Sequence, residues 1–397
     1  MMNELREQAQ QLEESLIALR RELHRFPELS FQEFRTASRV TEELQKLGLE
    51  VQSGIGGHGV VAELRGRYPG PAIAFRADMD ALPITEETGL DYASERAGVM
   101  HACGHDIHTT VLLGAAMLLA KRREELHGTV RFLFQSAEEI LAGAKAMIQE
   151  GAMEGIAEVY GVHNLPSLPA GKIGVKPGVV MGSIDRIEIR VEGRGGHGGY
   201  PEACIDPIVA ASAVIMGLQS AISREIPPTT GAVVTIGTIQ AGTANNIIPD
   251  FVEMTGTVRH LDAEWRKTMP ERITRIVGDI CRAYRCEGTV TYIEQVAPVI
   301  NDESCAEYLA EVADSLVGRH NRTLPLPMTY GEDFAEFLAF AKGGFYWLGS
   351  GPQEQAELAP GLHSPRFNPD ESCITLGAAM FAGIALKRLA GDGSGLR

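Results

Sequence analysis

The stretch Ile73-Ala-Phe-Arg-Ala-Asp-Met-Asp80 joins a short apolar run directly to two carboxylates. Similar apolar runs recur along the chain, and helical patterns rich in Leu and Ala, such as Thr109–Leu126, lie between several of them. Short buried strands that alternate with helices are typical of an α/β fold around a largely parallel sheet. The other apolar runs are Val60–Leu64, Val130–Phe134, Val159–Val162 and Phe345–Leu348.

The first segment of the chain has apolar residues at helical spacing from Leu5 to His24. Phe26 and Pro27 follow, and a proline at this place cannot continue a helix. This pattern predicts one helix that ends before Phe26.

The region from about Ile184 to Glu294 has a different pattern. It begins with a strand of alternating apolar and polar residues around Ile187, and the order of predicted elements is β-α-β-β-α-β. That order matches a split βαβ sandwich, which is an α+β unit of ferredoxin-like type. We therefore predict one domain made of residues 1–183 and 295–397, with a second domain, 184–294, inserted into it. The other predicted elements of this region are Pro207–Ser223, Ala232–Ile239, Glu253–Arg259, Ala263–Arg282 and Thr289–Ile293.

The composition excludes some classes of partner. The 397 residues carry a formal net charge of −16 and no basic stripe, which argues against nucleic acid or an anionic membrane as the main partner. The longest apolar stretch, Cys373–Leu386, is shorter than the roughly 20 residues that span a bilayer. Met1–Phe26 has no apolar signal core, and the six cysteines form no C-x-x-C pair. We therefore expect a cytoplasmic protein.

Residues of the kind that bind metals follow several of the predicted strands. In open α/β sheets, ligands bind at the carboxyl ends of the strands, so these side chains are expected to meet at one edge of one sheet. A thiolate, imidazoles and carboxylates are donors for zinc, manganese or cobalt. The residues are Asp78 and Asp80 after Ile73–Phe75, Glu138 and Glu139 after Val130–Phe134, His163 after Val159–Val162, the segment His101–Asp106, and His363 in a loop after Phe345–Leu348.

The spacing within these groups fits a metal-assisted reaction. Cys103 and His105 are two residues apart, so an extended loop directs both to the same side. Glu138 and Glu139 are adjacent and point to different sides, so that one can bind a metal while the other faces a water molecule. A metal lowers the pKa of bound water from ~15.7 to about 7, and a neighbouring carboxylate can then take the proton.

Each of these features has a simpler explanation when it is taken alone. A single histidine in a loop is more often a surface residue than a ligand, and a Glu-Glu pair near a helix start is usually a solvated face or a favourable dipole contact. Their common placement at the ends of strands favours metal binding. The chain has no H-E-x-x-H and no G-x-S-x-G, so the signatures of zincins and serine hydrolases are missing.

The run Gly193-Arg-Gly-Gly-His-Gly198 follows a predicted strand and matches the G-x-G-x-x-G dinucleotide fingerprint. However, the next strand, Ala232–Ile239, does not end in Asp or Glu to hold a ribose hydroxyl, and Pro201 and Pro207 delay the helix. A dinucleotide-dependent oxidoreductase is therefore retained only as a minor alternative. The glycines are better explained as a tight turn that presents His197.

Taken together, these motifs resemble the aminoacylase, hippurate hydrolase and auxin-conjugate hydrolase group of dinuclear metallo-amidohydrolases, related to acetylornithine deacetylase and glutamate carboxypeptidases. The resemblance covers nearly the whole chain. The motifs that carry it are Arg21-Glu-Leu-His-Arg-Phe-Pro-Glu-Leu-Ser30, Phe75-Arg-Ala-Asp-Met-Asp-Ala-Leu-Pro83, Met100-His-Ala-Cys-Gly-His-Asp106, Phe134-Gln-Ser-Ala-Glu-Glu139, Gly161-Val-His-Asn164, Gly193–Gly198, Asn245-Asn-Ile-Ile-Pro249, Glu332-Asp-Phe334 and Leu362-His-Ser364.

The resemblance implies a role for each matching residue. Glu138 would be the general base and later the general acid, and Asp78 would orient a ligand. The inserted domain would be a lid and dimerisation unit of a homodimer or homotetramer, in which His197 helps to polarise the substrate carbonyl. Asn245 and Arg259 would hold the substrate carboxylate, which the fork of an arginine suits. The implied ligands of two divalent transition-metal ions (Zn, Mn or Co) are Cys103, His105, Glu139, His163 and His363.

The chain departs from the family pattern at three positions. Ser136 stands where proline is usual, Glu202 where histidine is frequent, and Gly331 where serine is common. These changes bear on substrate preference and remove neither a ligand nor the base. The expected function is metal-dependent hydrolysis of the amide bond in a small N-acyl amino acid. A non-catalytic metal- or ligand-binding relative is the main alternative, and the presence of Glu138 disfavours it.

Overall fold

The computed structural model describes residues 1–391, so residues 392–397 of the predicted segment 295–397 lie outside the described part. The chain forms two compact units. The first comprises Met1–Gly178, Ile300–Leu326 and Asp333–Arg397, and the second comprises Val179–Val299 and Pro327–Glu332. The second unit extends beyond the predicted range 184–294 at both ends. The separate segment 327–332 joins it because the Gly182 amide donates to the carbonyls of Met328 and Tyr330, both at 2.8 Å.

The strands and helices of the described residues are numbered in chain order. The strands are β1 (Glu50–Ile55), β2 (Gly59–Arg65), β3 (Tyr68–Asp78), β4 (His127–Gln135), β5 (Ile156–Pro169), β6 (Ile173–Gly174), β7 (Gly178–Met181), β8 (Ile184–Glu192), β9 (Gly196–His197), β10 (Ala232–Ala241), β11 (Ile247–Ile248), β12 (Phe251–His260), β13 (Glu287–Val296), β14 (Val299–Asn301), β15 (Arg322–Thr323) and β16 (Lys342–Gly351). The helices are α1 (Met2–Gln10), α2 (Glu13–Arg25), α3 (Phe34–Lys46), α4 (His105–Ala120), α5 (Gly143–Gln149), α6 (Pro207–Glu225), α7 (Ala263–Ala283), α8 (Glu303–Val317), α9 (Phe334–Leu338) and α10 (Cys373–Arg388).

The first unit is built on an eight-stranded sheet with the order β1-β2-β4-β3-β5-β16-β6-β15. The neighbours β4, β3, β5 and β16 run parallel, and β1 and β2 add an antiparallel edge. Parallel strands are covered on both faces, which explains why their sequences are apolar runs without alternation. The predicted α/β class with a mainly parallel sheet is confirmed, and each of the five apolar runs lies within a strand.

Two helices with almost no exposed side chains form the centre of the first unit. α4 and α10 pack against each other and are buried nearly along their whole length. In the same core, the ring of Phe381 in α10 lies 4.8 Å from that of Phe75 in β3. A helix that is apolar all round can only be stable in such a position. These helices therefore fix the layer against which the sheet is held.

The helix predicted for Leu5–His24 is divided into α1 and α2. No proline or glycine stands at the break, at Gln11 and Leu12. The two helices have different neighbours, because α1 packs mainly against α10 and α2 mainly against α4. A change of direction lets each helix bury its own apolar stripe, a tertiary effect that helical spacing does not reveal.

The second unit contains a four-stranded antiparallel sheet with the order β10-β12-β8-β13, and its elements follow the predicted β-α-β-β-α-β order. In β8, Ile187 and Ile189 are buried, whereas Arg186 is exposed, as expected for a sheet with one covered face. α6 is long and apolar enough to cross a membrane by length and composition alone. Its residues from Ala210 to Ala221 nevertheless supply part of the core of this unit together with α7, as a core helix of a globular unit does.

A buried ion pair joins the C-terminal helix of the first unit to the start of a central strand. Arg388 of α10 donates from Nε to Glu158 of β5 at 2.7 Å, and the hydroxyl of Tyr160 donates to the same carboxylate at 2.7 Å. The Glu158 side chain has no exposed surface, and 6% of the Arg388 side chain is exposed. Burial of both charges makes the removal of one partner costly, because the other charge remains.

We expect Glu158→Ala to lower the free energy of unfolding by about 3–5 kcal/mol, since Arg388 would stay buried without its carboxylate. Urea unfolding followed by circular dichroism measures this change. Glu124→Ala is the control, because its pair with Arg67 is more than half exposed on both sides and should be worth at most ~1 kcal/mol. Similar losses in the two variants would contradict a stabilising role of the buried pair.

Candidate metal centre

The candidate site lies in the first unit, at the edge where the parallel strands end. β3 ends at Asp78, and β4 is followed by a loop that carries Glu138 and Glu139. His163 lies inside β5 rather than after it, because β5 continues to pair with β16, where Trp347 faces His163. The long connections between β3 and α4 and between β16 and α10 supply Cys103 and His363, and His105 is the first residue of α4. The strand order thus brings together segments that are distant in sequence.

The loop that carries Cys103 is held by a close contact with Asn164 of β5. The Asn164 amide group donates to the Cys103 carbonyl at 2.6 Å. Gly104 has a φ of 88°, and a side chain on it would lie 2.2 Å from that amide nitrogen. A glycine is therefore required, both for the left-handed backbone and for the space. This contact fixes Cys103 just before the first turn of α4.

The structure brings the five predicted metal ligands together. The Cys103 sulfur is 3.4 Å from Nε2 of His163. Oxygen atoms of Glu139 lie 3.7 Å from Nε2 of His105 and 3.6 Å from Nε2 of His363. Two groups of potential ligand atoms, each within 4.8 Å, have Cys103 in common: one adds His105 and His163, and the other adds Glu139 and His363.

Hydrogen bonds to the far ring nitrogens orient two of the histidines. His163 donates from Nδ1 to the Asn164 carbonyl at 2.7 Å, and His105 donates from Nδ1 to Asp80 at 3.1 Å. When an ion is bound, the Nε2 atom of each ring can therefore present its lone pair to the cluster, as a metal ligand requires. Nε2 of His105 and Oε1 of Glu139 are buried and have no hydrogen-bond partner among the described residues. Such atoms fit a bound ion.

The electrostatics of the cluster also fit a cation. Burial lowers the pKa of His105, yet the surrounding carboxylates, chiefly Asp78 and Asp80, raise it to about 10. Burial raises the pKa of Glu139 to about 7, and burial with the carboxylates of Glu139 and Glu138 raises that of the Cys103 thiol well above its usual range. The carboxylates that raise the pKa of His105 and of the Cys103 thiol are a concentration of buried negative charge, which a divalent ion would balance.

Glu138 lies beside the ligands in a strained turn. Ala137, which stands immediately before Glu138 and Glu139, has a φ of 54°, unusual for a residue with a side chain. Glu138 is nearly buried, accepts a hydrogen bond from the Asp333 amide at 3.4 Å, and has an oxygen within 4.8 Å of ligand atoms of His105 and Glu139. A carboxylate in this place can exchange a proton with a water molecule held near the ions.

Asp78 contacts residues to which the sequence analysis gave no role. It accepts a hydrogen bond from His108 at 2.6 Å and from Arg76 at 2.7 Å, and it lies 3.7 Å from Nε2 of His105. The carboxylate hydrogen-bonded to the predicted ligand His105 is Asp80. The spacing in the sequence could have indicated His108 and Asp80 as neighbours of the site. His108 is three positions from His105 on one helix, and Asp80 is two positions from Asp78.

The remaining predicted site residues lie in the second unit. His197 is exposed in β9, and its Nδ1 accepts a hydrogen bond from the Gly199 amide at 3.0 Å, so that Nε2 carries the proton and can donate it. Asn245 is exposed in the loop before β11, which pairs with β9. Arg259 is on β12 in the four-stranded sheet, half-buried, and donates to the Thr257 hydroxyl at 3.0 Å.

The Gly193–Gly198 run does not form a dinucleotide site. Its glycines lead into β9, where Gly196 pairs with Ile248, and the next α-helix begins only at Pro207. The Asp206 side chain already accepts hydrogen bonds from the first free amides of that helix. No helix N-terminus is therefore available at the glycines for a pyrophosphate.

Comparison with known proteins agrees with this geometry. A model of Peptidase family M20/M25/M40 matches residues 74–387, and the chain belongs to this family. N-acetylcysteine deacetylase of Bacillus subtilis (strain 168) is 44% identical, over 94% of this chain and 96% of the relative. IAA-amino acid hydrolase ILR1-like 5 of Arabidopsis thaliana is 36% identical, over 94% of this chain and 86% of the relative.

A solved structure from Bacillus subtilis, described as a dinuclear metal binding peptidase from the M20 family, has a TM-score of 0.84 and 40% identity. The match covers 96% of this chain and 99% of that one. The resemblance inferred from the motifs is thus confirmed, and the protein is a hydrolase of the M20 peptidase and amidohydrolase type. Dependence on two metal ions is a property of this family and is consistent with the donor cluster.

The hydrogen bond between Asp80 and His105 generates a prediction for metal binding. Asp80→Asn removes the charged acceptor that orients His105 and makes its ring more basic, so metal affinity should fall about 10–100-fold. Titration of the metal-free protein in competition with a chelator measures the change. Asp302→Asn, which alters the N-terminal cap of α8 in the same unit, should leave the affinity unchanged. An Asp80→Asn protein that binds metal like the wild type would contradict the orienting role.

Proposed function

We propose that this protein hydrolyses the amide bond of N-acyl amino acids with the aid of two divalent transition-metal ions. The observation that carries the proposal is the convergence of five donors from separate segments around Cys103, with Glu138 beside them. The names of the two relatives support it, since one is a deacetylase of N-acetylcysteine and the other a hydrolase of an IAA-amino acid conjugate. Both names describe an acyl group in amide linkage to an amino acid.

The ligand atoms suggest how the two ions are held. His105 and His163 together with Cys103 would hold one, and Glu139 and His363 would hold the other, with Cys103 shared between them. A mixed set of sulfur, nitrogen and oxygen donors suits zinc, manganese or cobalt. When bound, the ions lower the pKa of a water molecule and polarise the amide carbonyl.

Glu138 would move the proton in both halves of the reaction. Its carboxylate takes a proton from the attacking water and then gives it to the nitrogen of the leaving amine. The Asp333 amide, which donates to Glu138, holds the carboxylate in place. Asp333 is itself anchored by Arg76 at 2.9 Å.

The second unit would recognise the substrate. The Nε2 proton of His197 would donate to the carbonyl oxygen as negative charge develops there. Asn245 and Arg259 would bind the substrate carboxylate. Arg259 suits this role, because its half-buried guanidinium has no ion-pair partner among residues 1–391.

The same proposal includes a cytoplasmic homodimer or homotetramer in which the second unit is the lid and dimerisation domain. The outward side of α6 supports it, because Ile208, Val209 and Met216 are exposed there. An apolar helix face of this kind is typical of protein interfaces. The six cysteines are free thiols, as a reducing compartment would keep them.

A hydrolysis screen with N-acetyl, N-benzoyl and dipeptide substrates, after loading with Mn, Co or Zn, tests the activity. Glu138→Gln keeps the shape of the base but not its function, so kcat should fall ~10²–10⁴-fold while metal stays bound. Glu139→Gln should instead weaken metal binding. A wild-type protein that binds two ions and turns over none of the substrates would favour the non-catalytic alternative. If Glu138→Gln lost the metal and Glu139→Gln kept it, the two assignments would be exchanged.

The resemblance implies that His197 serves the site of a neighbouring subunit. His197→Ala should slow turnover roughly 10²–10³-fold and leave metal binding intact. When it is mixed with Glu138→Gln, a heterodimer contains one site with both an intact base and an intact donated histidine. Activity should then reappear on subunit exchange, up to half of the wild-type level per heterodimer. If exchange is verified by mass and the mixture stays inactive, donation between subunits is wrong.

A further inference from the structure

The carboxyl group of Glu33 is buried beside the candidate site but belongs to none of the roles described above. Glu33 stands just before α3, far in sequence from every proposed ligand, and has no exposed surface. Its Oε1 accepts hydrogen bonds from the amides of Ala137 at 2.8 Å and Phe31 at 3.1 Å. Its other oxygen, Oε2, is buried without a hydrogen-bond partner among the described residues. Burying a carboxyl group with one oxygen unpaired is costly.

The amide of Ala137 belongs to the turn that leads directly into Glu138 and Glu139. Ala137 has a φ of 54°, and a left-handed backbone costs a residue with a side chain about 1–3 kcal/mol unless the surroundings hold it. The Ala137 carbonyl accepts from Gly143 at 3.1 Å, so the peptide groups on both sides of this residue are fixed. Two residues on, the amide of Glu139 donates to Asp80 at 3.0 Å.

Phe31 resembles Ala137 in its backbone conformation and in its hydrogen bond to Glu33. It too is left-handed, with a φ of 60°, and its amide shares the Glu33 oxygen with that of Ala137. The neighbouring hydroxyl of Ser30 donates to Asp80 at 2.7 Å. Two buried carboxylates, Glu33 and Asp80, therefore fasten the loop of residues 30–33 to the loop that carries the general base.

We propose that Glu33 is a positioning residue, which holds the Ala137 amide and thereby sets the turn that leads into Glu138 and Glu139. This inference rests on the proposed function for its effect on turnover. The role needs an acceptor oxygen and does not need a negative charge. Burial and the nearby Asp80 carboxylate raise the pKa of Glu33 to about 7, so a neutral side chain is tolerated at this place.

The chain offers a matched control in Glu28. Its carboxylate accepts from the amides of Arg35 at 3.1 Å and Thr36 at 2.9 Å, so it also anchors two backbone amides at the start of α3. These bonds do not involve the loop of residues 136–139. Substitution of Glu28 thus removes a similar set of contacts from the same segment and leaves the Ala137 amide bonded.

The first measurement is amide hydrogen exchange by mass spectrometry, on a peptide that contains Ala137, in the metal-loaded full-length protein. Glu33→Ala should speed exchange at Ala137 about tenfold, because one hydrogen bond is lost. Glu33→Gln keeps an acceptor oxygen and should exchange like the wild type, as should Glu28→Ala. Should Glu33→Ala fail to fold, Glu33→Asp, whose oxygen is withdrawn by one methylene, is expected to give a smaller acceleration.

The second measurement separates kcat from KM on whichever substrate the wild type hydrolyses. Displacement of a catalytic group by about 1 Å costs ~10²-fold, so Glu33→Ala should lower kcat by about 10–100-fold with KM and metal content little changed. Glu33→Gln should retain most of the activity, and Glu28→Ala all of it. Unchanged exchange in Glu33→Ala, a Glu33→Gln variant as slow as Glu33→Ala, or an equal loss in Glu28→Ala would each overturn the inference. A wild type without any hydrolysis would refute the proposed function, while the exchange experiment would still decide whether Glu33 holds the loop.

Discussion

Buried negative charge at one edge of the first unit is the constraint on which the rest of the structure depends. The ends of β3 and β4 bring Asp78, Asp80, Glu138 and Glu139 into one small volume, next to the Cys103 thiol. Carboxylates in such surroundings are stable only when cations or amide groups face them. The Arg76 guanidinium balances part of this charge by donating a hydrogen bond to Asp78. The backbone amide of Glu139 stabilises another part by donating to Asp80. The divalent ions of the proposed function would balance the remaining charge.

The backbone is strained at the same site. Ala137 and His363 have positive φ angles although both carry side chains. The His363 amide donates to the Ala102 carbonyl at 2.8 Å, which ties this loop to the one that carries Cys103. Strain of this kind persists only where hydrogen bonds determine the conformation from several sides. Neither residue belongs to an α-helix or a β-strand. Hydrogen bonds of their backbone amides to Glu33 and to Ala102 therefore hold Ala137 and His363 in place.

The sequence alone was sufficient for the parallel strands, because strands covered on both faces leave apolar runs that periodicity can detect. The set of five metal ligands rested on the resemblance of the motifs to a known family, and it stays a prediction, although the structure brings the five side chains together. The sequence did not reveal the contact of Glu33 with Ala137 or the orienting role of Asp80, because hydrogen bonds between distant segments leave no periodic trace. The continuation of β5 through His163 was missed for a related reason, as it depends on pairing with β16.

The path of the chain through the first unit bears on how the protein matures during synthesis. β16 lies between β5 and β6, and α10 packs on α4, so the sheet and the core around it stay incomplete until residues 342–388 have been made. The elements from β8 to β13 form a sheet and two helices from one continuous stretch. On a ribosome, the stretch from β8 to β13 can fold before β16 and α10 have been made. Until then, the apolar strands of the first unit that precede β8 remain exposed. Exposure of apolar surface during synthesis would then arise from the order of the segments along the chain rather than from weak packing in the finished molecule.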